Sequence, residues 1–468
     1  MAIYKCSICD TEFDEEKEGK KWDELAGDWA CHVCESGKSH WLKVEEETQG
    51  PVVSQEGKDT SGPLDEYKRS SDDLEVYMAD IHEMAETGRT LTEPMRTRKP
   101  TPSWDDILIK GVQLAKIPLN QDEPVNTQTV IGPNAEQPLV LETPVYVTHM
   151  SFGALSKEAK LALAKGSAAV KTAMCSGEGG ILPDSMANSY KYIFEYVPNL
   201  YSVTEENLKK IDAVEIKIGQ SAKPGMGGHL PGQKVTKDIA KIRGFAEGAD
   251  ITSPSHFDDI RTREELKAKV NWLREASRGK PIGVKFAAGN VEADLEVALF
   301  AKPDFITIDG RAGATGAAPK FVKAATSVPS MFALYRARKY LDDHGIKGIS
   351  LLITGGHRIS ADFAKALALG AEAIAIGTAA LMAIGCQQYR ICHTGKCPMG
   401  ITTQEPELRA RLDVDDSARM LGNFLLVSTE ELKDFARLTG YDDIHKLSID
   451  DLCTTNSEIA NHTAIEHV

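Results

Sequence analysis

No apolar run in this chain reaches the roughly 20 consecutive residues that cross a bilayer. The N-terminal stretch MAIYKCSICD also lacks the charged-then-apolar pattern of a secretory signal. Together these absences predict a cytoplasmic protein. Basic charge is in deficit too: 54 Lys and Arg stand against 69 Asp and Glu, a formal net charge of −15. That argues against nucleic acid as a partner, because such binding rests on cations set against phosphates. It leaves docking to a basic partner open. No Gly-rich dinucleotide fingerprint is evident, and no repeat of short fixed period. Solitary cysteines are scarce. Of nine, only Cys175 and Cys453 stand alone, and seven fall in two tight groups. In a cytosolic chain, grouped thiols point to metal before disulfides.

The 468 residues are 42% hydrophobic and 26% charged, an ordinary globular balance sufficient for two or three domains. The richest stretch is Ala373–Gly400, AIAIGTAALMAIGCQQYRICHTGKCPMG. Its first half reads as a buried strand that turns at Gly377-Thr378 into a helix. Such a helix start offers unpaired N–H groups and a positive dipole end to a phosphate. Its second half spaces Cys386, Cys392 and Cys397 as C-x5-C-x4-C. Three thiolates this close suit an iron–sulfur cluster, or a zinc ion completed by His393. A flavin beside a cluster explains both halves together.

Residues 1–43 read as a separate metal module. Cys6, Cys9, Cys31 and Cys34 form two CxxC knuckles able to close a tetrahedron around zinc or a single iron. Phe13, Trp22 and Trp41 supply a small aromatic core. Residues 44–103 read as linker and helix. Val44–Ser71 is too poor in large apolar residues to offset its chain entropy. Leu74, Met78, Ile81 and Ala85 then fall at helical spacing between a Ser71 cap and a Gly88 stop.

Residues 104–468 read as one large domain. Eight short β-rich runs alternate with helical segments: PVYVTHM, AVKTAM, AVEIKIG, DITSP, IGVKF, FITIDG, LLITGG and AIAIGT. Eight parallel βα units predict a closed (β/α)8 barrel with its site at the C-terminal ends of the strands. The tail from Glu405 reads as helices anchored by Leu425, Leu426, Leu432, Phe435 and Leu438. The loops after the last two strands, Gly355-Gly356 and Gly377-Thr378, are phosphate candidates. Met150 and Ser151, after the first strand, can meet a flat ring. Glu178, isolated among glycines, reads as a base or acceptor. Gly219–Gly232 is long enough for a lid carrying Lys223 and His229. Lys285 ends a buried strand, where an ammonium needs a negative partner such as a reduced flavin. Arg311 can clamp a carboxylate bidentately.

The module's YxCxxC and DWxCxxC frames resemble a rubredoxin, with Asp10 and Glu35 where glycines usually follow the knuckles and His32 in place of the usual Pro. The large domain resembles the FMN-binding synthase domain of glutamate synthases. MSFGALSKEA, SGEGG, GQSAKPGMGGHLPG, DGRAGATGAAP, LGAEAIAIGTA and GCQQYRICHTGKCPMGITTQ run in family order. The resemblance implies bound FMN, a 3Fe–4S cluster on Cys386, Cys392 and Cys397, and reductive amination of 2-oxoglutarate to L-glutamate. It adds Ser176, Gln220 and Gly313 to the flavin contacts. Electrons would arrive through the N-terminal iron or directly at the cluster, from an NAD(P)H- or ferredoxin-linked donor. Ammonia would be free or come from a separate glutaminase, since no glutaminase domain fits in the length; homo-oligomers are compatible with this. The sequence departs from the family at AAGNVEADLEVA after Lys285 and at Ala314. Two further readings stay open: an N-methylglutamate synthase-like enzyme using methylamine, and an electron-transfer subunit active only in a complex.

Overall fold

The computed structural model describes residues 3–6, 11–26, 29–31, 37, 38, 41–43, 67 and 69–468. Most of the expected linker therefore lies outside the described residues, as do Cys9, Cys34 and the side chain of Cys6. The chain divides into two compact units, Met1–Glu93 with Pro319–Phe321, and Pro94–Ala318 with Val322–Val468.

In the smaller unit, Ile3–Cys6 pairs antiparallel with Glu12–Asp14 on one side and Trp41–Lys43 on the other. So short a sheet needs aromatic area for a core. Trp22 supplies it, stacked on Tyr4 at 4.4 Å between centroids and edge-on to Phe13 and Trp29, with Trp41 alongside. Cys31 is buried. The expected helix begins at Met78 rather than after Ser71. The Asp72 carboxylate accepts the amides of Leu74 and Glu75, which closes a local turn there instead. The helix ends at Thr87, with Gly88 left-handed (φ 62°) as its stop.

The larger unit is a closed eight-stranded parallel barrel. Its strands are β1 (Val145–Val147), β2 (Ala173–Cys175), β3 (Lys191–Tyr196), β4 (Ala213–Lys217), β5 (Ile282–Ala287), β6 (Phe305–Asp309), β7 (Ser350–Thr354) and β8 (Ala373–Ile376). Seven of the eight expected runs are barrel strands. The eighth, DITSP, is not: Ile251-Thr252 makes a two-residue antiparallel pair with His229-Leu230 inside the β4–β5 connection. Its place is taken by KYIFEY, whose interrupted apolar pattern hid it.

Alternation along the strands fills the axis in layers. Tyr146, Ala173, Ile193, Ala213, Phe305, Leu352 and Ala373 form an apolar plug, joined by the hairpin Thr129–Ile131 and Leu139–Leu141. Gly283 leaves room for the Phe305 ring, which a Cβ would approach to 2.1 Å. One inward step further along come Glu195, Glu215 and Thr307. The axis thus changes from hydrocarbon to charge along the strand direction.

The helix Val414–Leu438 lies against Lys157–Ala169, where a Cβ on Gly166 would sit 2.8 Å from the Ala418 carbonyl oxygen. Leu425 and Leu432 are buried as expected, whereas Leu426 faces outward, one position off the buried stripe. Among the described residues, no helix is long and apolar enough to cross a membrane.

Candidate active site

The ion cluster on the barrel axis is built by cross-strand register. Glu195 of β3 pairs with Glu215 of β4, and Lys285 of β5 pairs with Lys217 of β4. Lys285 Nζ lies 2.5 Å from Glu195 Oε1 and 3.2 Å from Glu215 Oε2, and all three side chains are buried. Burial alone would lower the ammonium's pKa. The two carboxylates reverse this and hold it well above its ordinary value. Burial would likewise raise Glu215, but Lys285 and His149 bring it down to about 2. Thr307 Oγ1 donates to Glu215 Oε1.

The amide of Gly177 donates to His149 Nδ1 at 3.2 Å. This bond assigns the ring proton to Nε2, which faces Glu215 Oε2 at 3.1 Å. Among the described residues, His149, Glu195 and Glu215 are the one set of three His, Cys, Asp or Glu residues whose ligand atoms gather within 4.8 Å. Lys285 already serves as its cation, so the set is closed without a metal. The negative partner expected for Lys285 is therefore a pair of protein carboxylates, before any flavin is considered.

Glu178 occupies the glycine loop after β2. Contrary to expectation it has a neutralising neighbour: Lys217, at the end of β4, makes an ion pair and hydrogen bond with it. Burial pushes the Glu178 carboxyl up, and the charge and hydrogen bond of Lys217 more than reverse this. The expected lid lies directly on it, since a Cβ on Gly228 would come 2.6 Å from Glu178 Oε1. Lys223, on the same loop, donates to the Gly227 carbonyl at 2.9 Å; burial lowers its pKa against the pull of Glu178. Arg243 reaches the loop from the helix Lys237–Arg243. It donates to the Phe152 carbonyl at 2.8 Å, its Nη2 fills the space beside Gly179, and its buried Nε has no partner. His229 instead pairs with Asp250 at an exposed position.

Arg311 is already engaged. Its guanidinium donates to the Thr326 and Ala324 carbonyls, at the end of the helix Lys320–Ala325, at 3.2 and 2.9 Å. Three of its five N–H donors are left over, among them the buried Nε, which has no partner among the described residues. Ser176 is fully buried, and its hydroxyl accepts the Glu195 amide, so that side chain serves the scaffold. Met150, Ser151 and Gln220 are half-buried near these loops. The Met150 carbonyl is fixed from below by Lys160, whose three donors go to Met150, Cys175 and Ser176 carbonyls, each at 2.9 Å.

The glycines test the fit of a phosphorylated flavin. Gly355 (φ +114°) leaves a space that its Cβ would close, 2.0 Å from the Gly310 carbonyl oxygen, and Gly356 follows at φ +98°. A Cβ on Gly313 would lie 2.0 Å from Ser221 Oγ, and one on Gly377 3.1 Å from Thr148. Among the described residues, the amides of Gly355, Gly356 and Gly377 donate to no backbone carbonyl, and Thr378 begins a helix at the end of β8. These are bare donors at the ends of β7 and β8, which suits a phosphate.

The three cysteines after β8 are free thiols. Burial raises Cys386, and raises Cys392 to about 11, with Cys397 adding to each shift. The sulfurs are thus near neighbours, yet they do not gather within 4.8 Å as a set. Three thiolates on one tetrahedral zinc stand about 3.8 Å apart, from a Zn–S bond of about 2.3 Å.

Charged residues placed at period two inside strands, as in VEIK and IFEY, were the available signal for Glu195, Glu215 and Lys217. Arg243 carries no local signal.

The model of the conserved region in glutamate synthase matches residues 80–442. A glutamate synthase large subunit-like protein of Rhizobium meliloti is 36% identical over 403 residues, covering 82% of this chain and 91% of its own. The archaeal glutamate synthase (NADPH) of Methanocaldococcus jannaschii is 38% identical over 400 residues, 79% of this chain and 78% of its own. Among solved structures, mandelate oxidase with (S)-2-phenylpropionate matches 75% of this chain and 86% of its own at 17% identity, with a TM-score of 0.47.

Proposed function

The chain belongs to the glutamate synthase family and is an enzyme of that type, and from this premise we propose that it forms L-glutamate by reductive amination of 2-oxoglutarate. One observation carries the substrate class. Lys217, Lys223 and Arg243 bring three cations to Glu178, with Glu195 as a second carboxylate in reach. The positive charge left over suits a carboxylate substrate.

In this reading Arg243 and Lys223 receive the substrate's carboxylates. Arg243 shares the role expected of Arg311, because it is the guanidinium that lies beside the Glu178 loop. Glu178, kept ionised by Lys217, accepts a proton as ammonia adds to the 2-oxo carbon, returns it to the carbinolamine hydroxyl as that group leaves as water, and orients the resulting imine nitrogen. The loop Gly219–Gly232, packed on Glu178 through Gly228, excludes water from that step. FMN, when bound, supplies the hydride. Gly355, Gly356, Gly377 and Thr378 would hold its phosphate, and Lys285 would meet the N1–C2 edge as an ammonium shared with Glu195 and Glu215. Cys386, Cys392 and Cys397 would hold a 3Fe–4S cluster that delivers single electrons. Cys6, Cys9, Cys31 and Cys34 would hold a mononuclear iron, or zinc, in a rubredoxin-like domain at residues 1–43. The donor is a separate NAD(P)H- or ferredoxin-linked protein, the ammonia comes free or from a separate glutaminase, and the setting is the cytoplasm.

The test is glutamate formation from 2-oxoglutarate and ammonia by FMN-loaded protein under a chemical reductant, with methylamine as the competing amine. Glu178→Gln should lower kcat about 100-fold or more with little change in KM, the range of a lost general base. A faster reaction with methylamine, or none with either amine, overturns the assignment.

A further inference from the structure

Lys234 is a buried cation outside the substrate pocket. Its ammonium donates to the Cys392 carbonyl at 2.9 Å, and Cys392 and Cys397 both act on its charge. The approach is built in. Gly395 stands left-handed (φ +76°) at the end of the cysteine turn, and a Cβ there would lie 2.8 Å from Lys234 Cε. On the other flank of Cys392, Met95 Sδ lies 3.8 Å from its sulfur. An ammonium and a thioether thus face the turn at Cys392. Burying a lysine is costly unless negative charge meets it, and no carboxylate is paired with Lys234 among the ion pairs of the described residues.

Lys234 is also where the substrate loop ends. Gly219–Gly232 runs directly into the short helix Gly232–Lys234, whose terminal amide donates to the Pro231 carbonyl at 2.9 Å. Gly232 is itself wedged, since its Cβ would lie 2.2 Å from the Gly248 carbonyl oxygen. One end of the loop covers Glu178 and the other is pinned to the cysteine turn.

We propose that Lys234 is a positioning residue that supplies the buried positive charge opposite an anionic three-cysteine cluster and ties the substrate loop to it. This rests on the cluster reading of Cys386, Cys392 and Cys397. A cation beside the centre favours its reduced, more negative form, so the lysine makes the centre easier to reduce by one electron.

The experiment is an anaerobic redox titration of the full chain with dithionite, followed by EPR, alongside iron and sulfide analysis. Lys234→Met should assemble the cluster, yet at the wild-type midpoint its reduced-to-oxidised ratio should fall about tenfold, equivalent to 59 mV for one electron. Lys234→Arg should restore the wild-type ratio. An intact cluster whose ratio moves less than threefold in Lys234→Met overturns the role of Lys234 and leaves the cluster standing. If Lys234→Met takes up no inorganic sulfide and none of the iron that accompanies it, Lys234→Arg decides: restored uptake supports the charge role and equal loss overturns it. Wild-type protein without iron and sulfide overturns the centre itself, and this inference with it.

Discussion

The barrel axis and the cysteine turn are both buried, both ionisable and both near the same mouth, yet they solve the problem of charge in opposite ways. On the axis, Lys285 holds Glu195 and Glu215 ionised, Thr307 donates to Glu215, and His149 Nε2 faces Glu215 at 3.1 Å. The cysteine turn closes nothing. Burial pushes Cys386 and Cys392 toward neutral thiols, the three sulfurs do not gather within 4.8 Å, and Lys234 brings a cation that pairs with no carboxylate among the described residues. A self-completed cluster contributes to folding by itself. An incomplete one gains its free energy from what binds it, with proton release on loading.

The largest expected effect follows from breaking the axis. Lys285→Met leaves two buried carboxylates without a cation, and losing one partner of a buried ion pair costs about 3–5 kcal/mol. Urea unfolding of the FMN-free protein should show this as a lower midpoint with an unchanged slope. Adding Glu195→Gln should recover part of the loss, because one orphan charge is removed. Unfolding indistinguishable from wild type would mean the cluster is not closed, and the contrast with the cysteine turn would fail.

A titration sharpens the same contrast. The Glu215 carboxyl is lowered in the fold from 4.5 to about 2. A depressed acid contributes its stability above its unfolded value and loses it as pH falls through the folded one. The advantage of wild type over Glu215→Gln should therefore be full above pH 4.5, about 3 kcal/mol, and vanish by pH 2. Unfolding free energies measured across that window, in matched salt, check both sign and limits.

How far the sequence foretold these regions depends on what each side chain answers to. β7 and β8 were legible because both faces of LLIT and AIAI are buried, which gives unbroken apolar runs. β3 was not, because its inward face carries Glu195 and its outward face aromatic rings. Gly355 and Gly377 announced close backbone approach, a local property. Glu178 was singled out, but Lys217 was missed, because the two are 39 positions apart and meet only when the barrel closes. The partners of Arg311 were hidden for the same kind of reason: they are the carbonyls ending a helix formed further along the chain. Spacing grouped the cysteines, while the arrangement of their sulfurs needed coordinates.

The smallest expected effect on folding tests the open half of the comparison. Cys392 is half-buried and touches Met95 through sulfur, so Cys392→Ala removes little packed area and no completed charge pair. Replacing it should change the unfolding free energy of the metal-free chain by no more than about 1 kcal/mol, within the range of partly exposed sites. The same change should abolish cluster iron, since two thiolates and a thioether do not substitute for three thiolates. Iron analysis and chemical unfolding on one preparation separate the two effects. A metal-free Cys392→Ala chain destabilised as much as Lys285→Met would make the turn part of the folding core. The sulfur atoms would then be held in place by the protein alone, and the difference between the two regions would be one of residue type rather than of completeness.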